Sequence, residues 1–308
     1  MSENLIQLAV TQFSANLELK VQQTVSKLRG RVAEGSHVGK QASPVQYMGP
    51  IKMKSPQGRF APKARVDASF ERRWVFPIDK EIDQYIDSFD KLRLISDPTA
   101  QYSTNAAASV AREWDDGLLL AATGVATLGT DQAAFSTESF DTTTYGVAAT
   151  FGSGATGSGL TVAKLVEVKR KFRHYGQDGN PDNEELTIVI GSQQEANLLG
   201  ETQVTNRDYN GDRPVLVEGS ISRFLGFNFI MSERLATDGT NRTVLAFMKS
   251  GLYLGVWKDM ANEVFKRGDL SGNPWDLNTE MTYGGVRLQK GKLLQILCAD
   301  STGASIVP

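Results

Sequence analysis

An α+β plan is what this sequence predicts. Three observations predict it: stretches whose apolar residues recur every three or four positions, stretches whose apolar residues alternate, and no strict βα alternation that would signal a parallel sheet. The 308 residues suit one large domain or two small ones and are enough to bury a proper core. Hydrophobic residues at 40% and charged residues at 22% match a globular chain, while 29 glycines call for many turns.

At the N-terminal end, Val10, Phe13, Leu17, Val21, Val25 and Leu28 share one helical face, with Gly30 and Gly35 as stop signals. Such an amphipathic helix needs a surface to lie on, its own domain's or a neighbour's. From Ser43 to Pro77 the period changes to two. Val45, Tyr47, Ile51 and Met53 alternate with Lys52 and Lys54, Pro56-Gln57-Gly58 makes a tip, and Val66, Ala68, Phe70, Trp74 and Phe76 return on one parity. This is a long hairpin, whose return strand from Arg65 to Phe76 would extend ~40 Å. An isolated two-stranded ribbon is marginal in water, so the hairpin is expected to dock elsewhere.

After Asp97-Pro98 a helix is predicted from Ser103 to Thr123, with Ser103, Thr104 or Asn105 as its cap. Ala107, Ala111, Trp114, Leu118 and Ala121 form its core face, and Arg112, Glu113, Asp115 and Asp116 mostly turn away. At about 20 residues it would span roughly 30 Å, the longest rigid element in the chain. Residues 129–159, rich in Ser, Thr, Gly and Ala, read as a surface loop or ribbon. A second amphipathic helix carries Val162, Leu165, Val166, Lys169 and Phe172 and ends near Gly176. Leu186 to Ile190 is a buried strand, and Ser192 to Leu199 a helix. Further strands are expected near 214–218, 227–231, 243–248, 253–257, 280–288 and 293–299. No internal repeat is present.

The residue types argue against chemistry. Cys298, the single cysteine, lies in an apolar run and reads as an inert core thiol. His37 and His174 have no Cys or His at metal-ligand spacing, so no zinc site is expected. Gly152-Ser153-Gly154-Ala155-Thr156-Gly157 is a literal GxGxxG ahead of a helix. A dinucleotide site would also need a buried strand before it and an acid ending the next strand; here that strand ends Ile190-Gly191-Ser192. Asp178 to Asp182 begins like a calcium loop but has Asn183 where glycine belongs and Val189 where the bidentate acid belongs. Asp115 and Asp116 are adjacent on a helix and point about 100° apart, unlike a converging acid/base pair. Neither a catalytic residue nor a cofactor is therefore expected.

The N-terminus lacks the layout of a signal peptide, and no window is apolar enough for a membrane span, so the chain is expected to be made in a cytosol. Asn241-Arg242-Thr243 matches a glycosylation sequon by accident. Charge is uneven: residues 1–73 hold twelve cations against five acids, an excess of seven, which leaves nine negative charges on the remainder of a chain whose net charge is -2. That asymmetry suits complementary packing between copies or weak contact with nucleic acid.

Several stretches carry a family resemblance. They are Gly35-Ser36-His37-Val38-Gly39-Lys40, Arg72-Arg73-Trp74-Val75-Phe76-Pro77, Asp87 through Pro98, Arg112-Glu113-Trp114-Asp115-Asp116, Gly219 through Phe227, and Tyr283-Gly284-Gly285-Val286-Arg287-Leu288. These, and the order of the elements, resemble the HK97-like fold of tailed-phage major capsid proteins, T7-like and related podovirus families among them. The resemblance implies an N-terminal arm (1–44), an extended loop (45–80), a peripheral domain with a spine helix (81–160, helix 103–123), an axial domain (161–244) and a return of strands (245–308). It implies a shell subunit without enzymatic activity, assembled with itself into pentamers and hexamers around double-stranded DNA in a virion built in the bacterial cytoplasm. A separate scaffolding protein and a portal would be partners, with room for a decoration protein and for weak, non-specific DNA contact. Lys52, Lys54, Arg59, Lys63, Arg65, Arg72, Arg73 and Trp74 are the expected contacts between subunits. The alternatives are an encapsulin-like compartment of the same fold, which would package cargo, and a dinucleotide enzyme using Gly152 to Gly157.

Overall fold

The computed structural model describes residues 22–55, 58, 65–86, 99–131, 134–153, 157–175, 184–201, 204, 216–217 and 220–300. The chain packs as two compact units. Of the described residues, 22–26, 79–86, 99–113 and 258–282 form the first, and the remainder form the second.

In the first unit, strand β4 (Ile78–Ile86) and parts of β14 (Leu252–Lys266) and β15 (Trp275–Arg287) lie in the order β14-β15-β4. Alternation explains the sheet's buried face, because Leu277, Thr279 and Met281 on β15 are all buried. The Thr282 hydroxyl donates to Asp79 at 2.7 Å. At the ribbon's turn, Gly272 and Asn273 take positive φ, +85° and +45°. The Arg267 guanidinium bridges Asp269 and the buried Asp276 there. The first fifteen residues of helix α1 (Thr99–Thr123) belong to this unit and bury Ala106, Ala108, Val110 and Ala111.

The second unit is centred on a mixed six-stranded sheet. Its order is β11 (Arg223–Phe224), β12 (Phe227–Met231), β8 (Leu186–Ile190), β13 (Asn241–Met248), β16 (Leu293–Ala299), β7 (Gly146–Val147). β12 and β8 run parallel, and β13 pairs antiparallel with both β8 and β16. All five residues of β8 are buried, as its unbroken apolar run requires of a strand covered on both faces. Helix α3 (Val162–His174) contributes Leu165, Val168 and Phe172 to this core, and α4 (Ser192–Leu199) contributes Leu198.

A buried lysine ties α3 to β16, which also buries the single cysteine. The Lys164 ammonium donates to the carbonyls of Ser158, Gly159 and Leu297 at 2.7–3.0 Å, so its charge is solvated by three dipoles in place of water. Burial pushes the Cys298 thiol up to about 12, which makes it the inert core thiol its sequence context suggests.

A second sheet of this unit orders β2 (Ala42–Met48), β3 (Phe70–Val75), β5 (Ala126–Asp131) and β6 (Ala134–Glu138), each antiparallel to the next. Val75 and Ala126 pack there with Tyr253, Val286 and Leu288, and half-buried Val45, Tyr47 and Trp257 close the cluster. β1 (Ala33–Ser36) runs parallel to β14 from Tyr253 to Val256. β9 (Leu216–Val217) and β10 (Ser220–Ile221) form a separate two-stranded pair, and α2 (Thr142–Tyr145) precedes β7.

Several expectations need correction. Val10, Phe13, Leu17 and Val21 lie outside the described residues, but Val25 and Leu28 stand in irregular backbone, so the terminal helix does not reach them. The Lys27 and Leu28 amides donate to Asp115 instead of to carbonyls four residues back. The hairpin's return strand has six residues, not twelve. Pairing ends at Met48 with Phe70, one step before the Gly49 amide meets the Ser69 carbonyl.

The long helix begins at Thr99, four residues early. On its core face Ala111, Trp114 and Leu118 are buried, whereas Ala107 is only half-buried and Ala108 takes its place. Asp115, read as turned away, is fully buried. The tract 129–159 holds β6, α2 and β7, and the strands expected at 253–257 and 280–288 lengthen to fifteen and thirteen residues. On α3, Val166 is exposed and Val168 is buried.

Candidate assembly surfaces

Beyond the paired strands β2 and β3 of the β2-β3-β5-β6 sheet the described chain continues as residues 49–55 and 65–69, and exposure changes along this ribbon. Near the root both faces are covered. Val75 is buried, and Trp74 is buried with its indole N–H donating to the Gly129 carbonyl at 3.1 Å and its ring edge-on to Phe135. Beyond the last rung the cover ends: Met48, Ile51, Met53, Val66 and Phe70 are exposed, Met53 completely so. Lys52 and Lys54 stand between them, also exposed, and Arg65 holds its near neighbour Asp67 in an exposed ion pair. The ribbon is therefore apolar and cationic at once, with no part of its own unit against it among the described residues.

The expected contact residues separate into three groups. Lys52, Lys54 and Arg65 lie on the exposed part, while Arg72 is half-buried and donates to Gln46 at 3.1 Å. Arg59 and Lys63 lie outside the described residues. Arg73 and Trp74 belong to the root: Arg73 is 4% exposed and its guanidinium meets Glu138 at 2.7 Å and Glu71 at 2.9 Å. A tryptophan beside two arginines looks like a contact patch in sequence; here the pleat turns Arg73 and Trp74 to opposite faces, and each is covered by its own unit.

A second candidate surface is the strap of residues 27–39. Asp115 receives the Lys27 and Leu28 amides at 3.0 and 3.1 Å, the Arg29 guanidinium stacks 3.9 Å over the Trp114 ring, and Glu34 pairs with Arg29. His37 meets the Tyr253 hydroxyl at 2.7 Å, and the Trp257 indole donates to the Gly39 carbonyl at 2.8 Å. Gly35 makes room for this contact: a Cβ there would fall 2.0 Å from the Tyr253 oxygen and push that side chain aside. The motif Gly35 to Lys40 thus fastens the strap to β14. Asp115 was not legible as a strap holder, because it reads as one more charge on a helix's polar side.

A third feature is a cavity beside the last turns of α1. It is lined by Asp116, Leu119, Leu120, Arg234, Leu235 and Leu245, with Asp116 and Arg234 ion-paired at its edge. Asp115 and Asp116 therefore serve different partners, as their angular separation requires.

Among the described residues there is no cluster of three or more His, Cys, Asp or Glu side chains fit to hold a metal. Gly154 to Thr156 of the glycine motif and Asp178 to Asp182 lie outside the described residues. What precedes the glycines is the two-residue edge strand β7, not the buried strand a dinucleotide site needs, and the α3 N-terminus is capped by its own Thr161 hydroxyl. No helix among the described residues is long and apolar enough to cross a membrane.

Comparison with known proteins agrees with a shell subunit. The sequence profile of a family described as phage capsid protein matches residues 5–300. No curated protein matches the chain in sequence. Among solved structures, the capsid of cyanophage P-SCSP1u is similar over 98% of this chain and 97% of its own, with 16% identity and a TM-score of 0.68. The mature capsid of bacteriophage PhiM1 is similar over 97% and 93%, with 13% identity and a TM-score of 0.67. The capsid of a native GTA particle follows over 95% and 96%, with 12% identity and a TM-score of 0.66. The fold is that of these capsids, the HK97-like α+β architecture.

Proposed function

We infer how this subunit works from one premise: the chain belongs to the phage capsid protein family. It is a major capsid protein, a component of the virion that builds the head shell. Copies associate head to tail into rings of five and six, which close because the rotation closes, and the rings tile an icosahedral shell around double-stranded DNA. The part from 49 to 69 is the intersubunit arm.

The observation that carries this reading is the row Met48, Ile51, Met53, Val66 and Phe70, exposed on a ribbon with no local cover. Such a row on a lone ribbon is stable only against another surface. Lys52, Lys54 and Arg65 choose that surface, since the chain beyond residue 73 carries an excess of nine acidic charges. Each copy should bury obligate-scale area, roughly 2,000–5,000 Å².

Contact with the genome is weak and independent of sequence, a matter of phosphate charge alone. A separate scaffolding protein and a portal complete assembly in the bacterial cytoplasm, and a decoration protein has the outer surface available. Arg73 and Trp74 serve the arm from its root, not at its contact face. Negative-stain microscopy of the purified chain, alone and with its scaffold, tests the reading: uniform closed particles are expected, and a protein that stays a 33.6 kDa monomer under every assembly condition would contradict it.

A further inference from the structure

The root of the arm holds more positive charge than its surroundings balance. Arg73 on β3, Arg287 at the end of β15 and Lys290 in the turn before β16 all meet Glu138, the last residue of β6. Arg73 and Lys290 each bind one carboxylate oxygen, and Arg287 donates to the Glu138 backbone carbonyl at 3.2 Å. Arg287, fully buried, also donates to the carbonyls of Ala122 and Gly124 at 2.9 and 3.0 Å, where α1 ends, and its guanidinium lies over Phe140. Two cations are thus almost wholly desolvated beside one carboxylate. Among the described residues the only other acid on Arg73 is Glu71, whose side chain is half exposed. The Nε–H groups of Arg73 and Arg287 are buried with no acceptor among the described residues.

Burial disfavours ionisation of Glu138, yet hydrogen bonds from Lys290 and Arg73 outweigh it and hold the carboxyl below the usual glutamate range. The Glu138 carboxylate therefore joins the arm's return strand, the β5-β6 hairpin and the turn before β16, while its backbone carbonyl receives Arg287 from beside the end of the spine helix.

We propose that Glu138 is a positioning residue that locks the arm's root strand β3 to the body of its own subunit and so sets the direction in which the arm leaves. Its relevance to shells rests on reading 49–69 as the intersubunit arm; the lock itself does not. Removing the charge leaves the buried Arg73 and Arg287 repelling each other with Lys290 close by, and β3, which carries Arg73, loses its ionic tether to β6 and the turn before β16.

The test is hydrogen exchange on the full-length, unassembled subunit carrying Glu138→Gln, which keeps the shape and loses the charge. Amides of residues 42–48 and 70–75 should exchange roughly tenfold faster or more, while β8 and β13 stay unchanged. Glu71→Gln, which touches the same arginine from the solvent side, should change little. Because a merely structural loss would not respond to charge balance, the double variant Glu138→Gln with Lys290→Gln should slow arm-root exchange back toward wild type. Unchanged exchange in Glu138→Gln, a uniform rise across the whole subunit, or no recovery in the double variant would each overturn the lock. Selective loosening with normal closed shells would leave the lock standing and sink the arm reading instead.

Discussion

The six-stranded sheet and the arm are both made of period-two sequence, and they differ in who covers them. In the sheet, β8 and β13 have neighbours on both edges, and α3 packs its Leu165, Val168 and Phe172 face into the core, so the apolar residues of 186–190 and 244–248 vanish from the surface. In the arm the ladder stops at the pair Met48 and Phe70, and every large apolar residue from there to Val66 that the structure describes is in solvent. The lesson is that alternation states which side of a strand is apolar and says nothing about whose surface will meet it. A single chain can satisfy the first region by itself; the second is proposed to be a half-interface.

That contrast can be broken from either side. The largest effect should come from the body. Trp114→Ala removes a buried indole from beneath Arg29 and should cost about 3–5 kcal/mol, seen as a lower midpoint in thermal or urea unfolding of the unassembled subunit. Unchanged stability would mean that the strap and helix do not share a core there. Asp115→Ala should follow at about 2–3 kcal/mol, because the Lys27 and Leu28 amides lose their acceptor in a site with little water. Exchange at those two amides should rise with it, and if they stay protected the carboxylate is not what holds the strap.

Acid gives a third, smaller effect. A carboxyl with a depressed folded pKa contributes stability that is present above its unfolded value and lost as pH falls through the folded one. Glu138 is such a group, so the arm root should stay protected at neutral pH and loosen only below about 4.3, the ordinary glutamate value. Glu138→Gln should lack that acid transition, and a transition unaltered by the substitution would assign it to other groups. Smallest for the subunit, and largest for the contrast, is Lys52→Glu with Lys54→Glu. Both side chains are exposed, so unfolding should shift by less than about 0.5 kcal/mol. Assembly should nevertheless weaken, most at low salt where screening is least. Equal assembly at all salt concentrations would remove charge from the arm's recognition.

Sequence pattern made the body legible wherever one period ran without competition. Leu186 to Ile190, Ser192 to Leu199 and Leu293 to Ala299 occupy the spans expected of them. It misled where polar groups are buried by partners distant in sequence. Asp115 is held by residues 87 and 88 positions away, Arg73 by one 65 away, and Arg287 by carbonyls more than 160 away, none of which a local pattern contains. It overextended the return strand for the opposite reason, since alternation continued past the point where a partner strand did. The cations at Lys52, Lys54 and Arg65 were visible as arm residues, but the division between contact face and root at Arg72, Arg73 and Trp74 came only with the pleat and the β5 pairing.

The most direct test of the half-interface claim removes the arm and keeps its root. The structure places the cut inside the Gly49 to Ser69 rung, so residues 50–68 are replaced by a short Gly/Ser linker and the product is followed by size exclusion, circular dichroism and electron microscopy. The expected product is soluble, near-native in circular dichroism and unable to form closed shells. Normal closed particles would show that the arm is dispensable to assembly, and an unfolded aggregate would show that its exposed apolar row covers its own core after all.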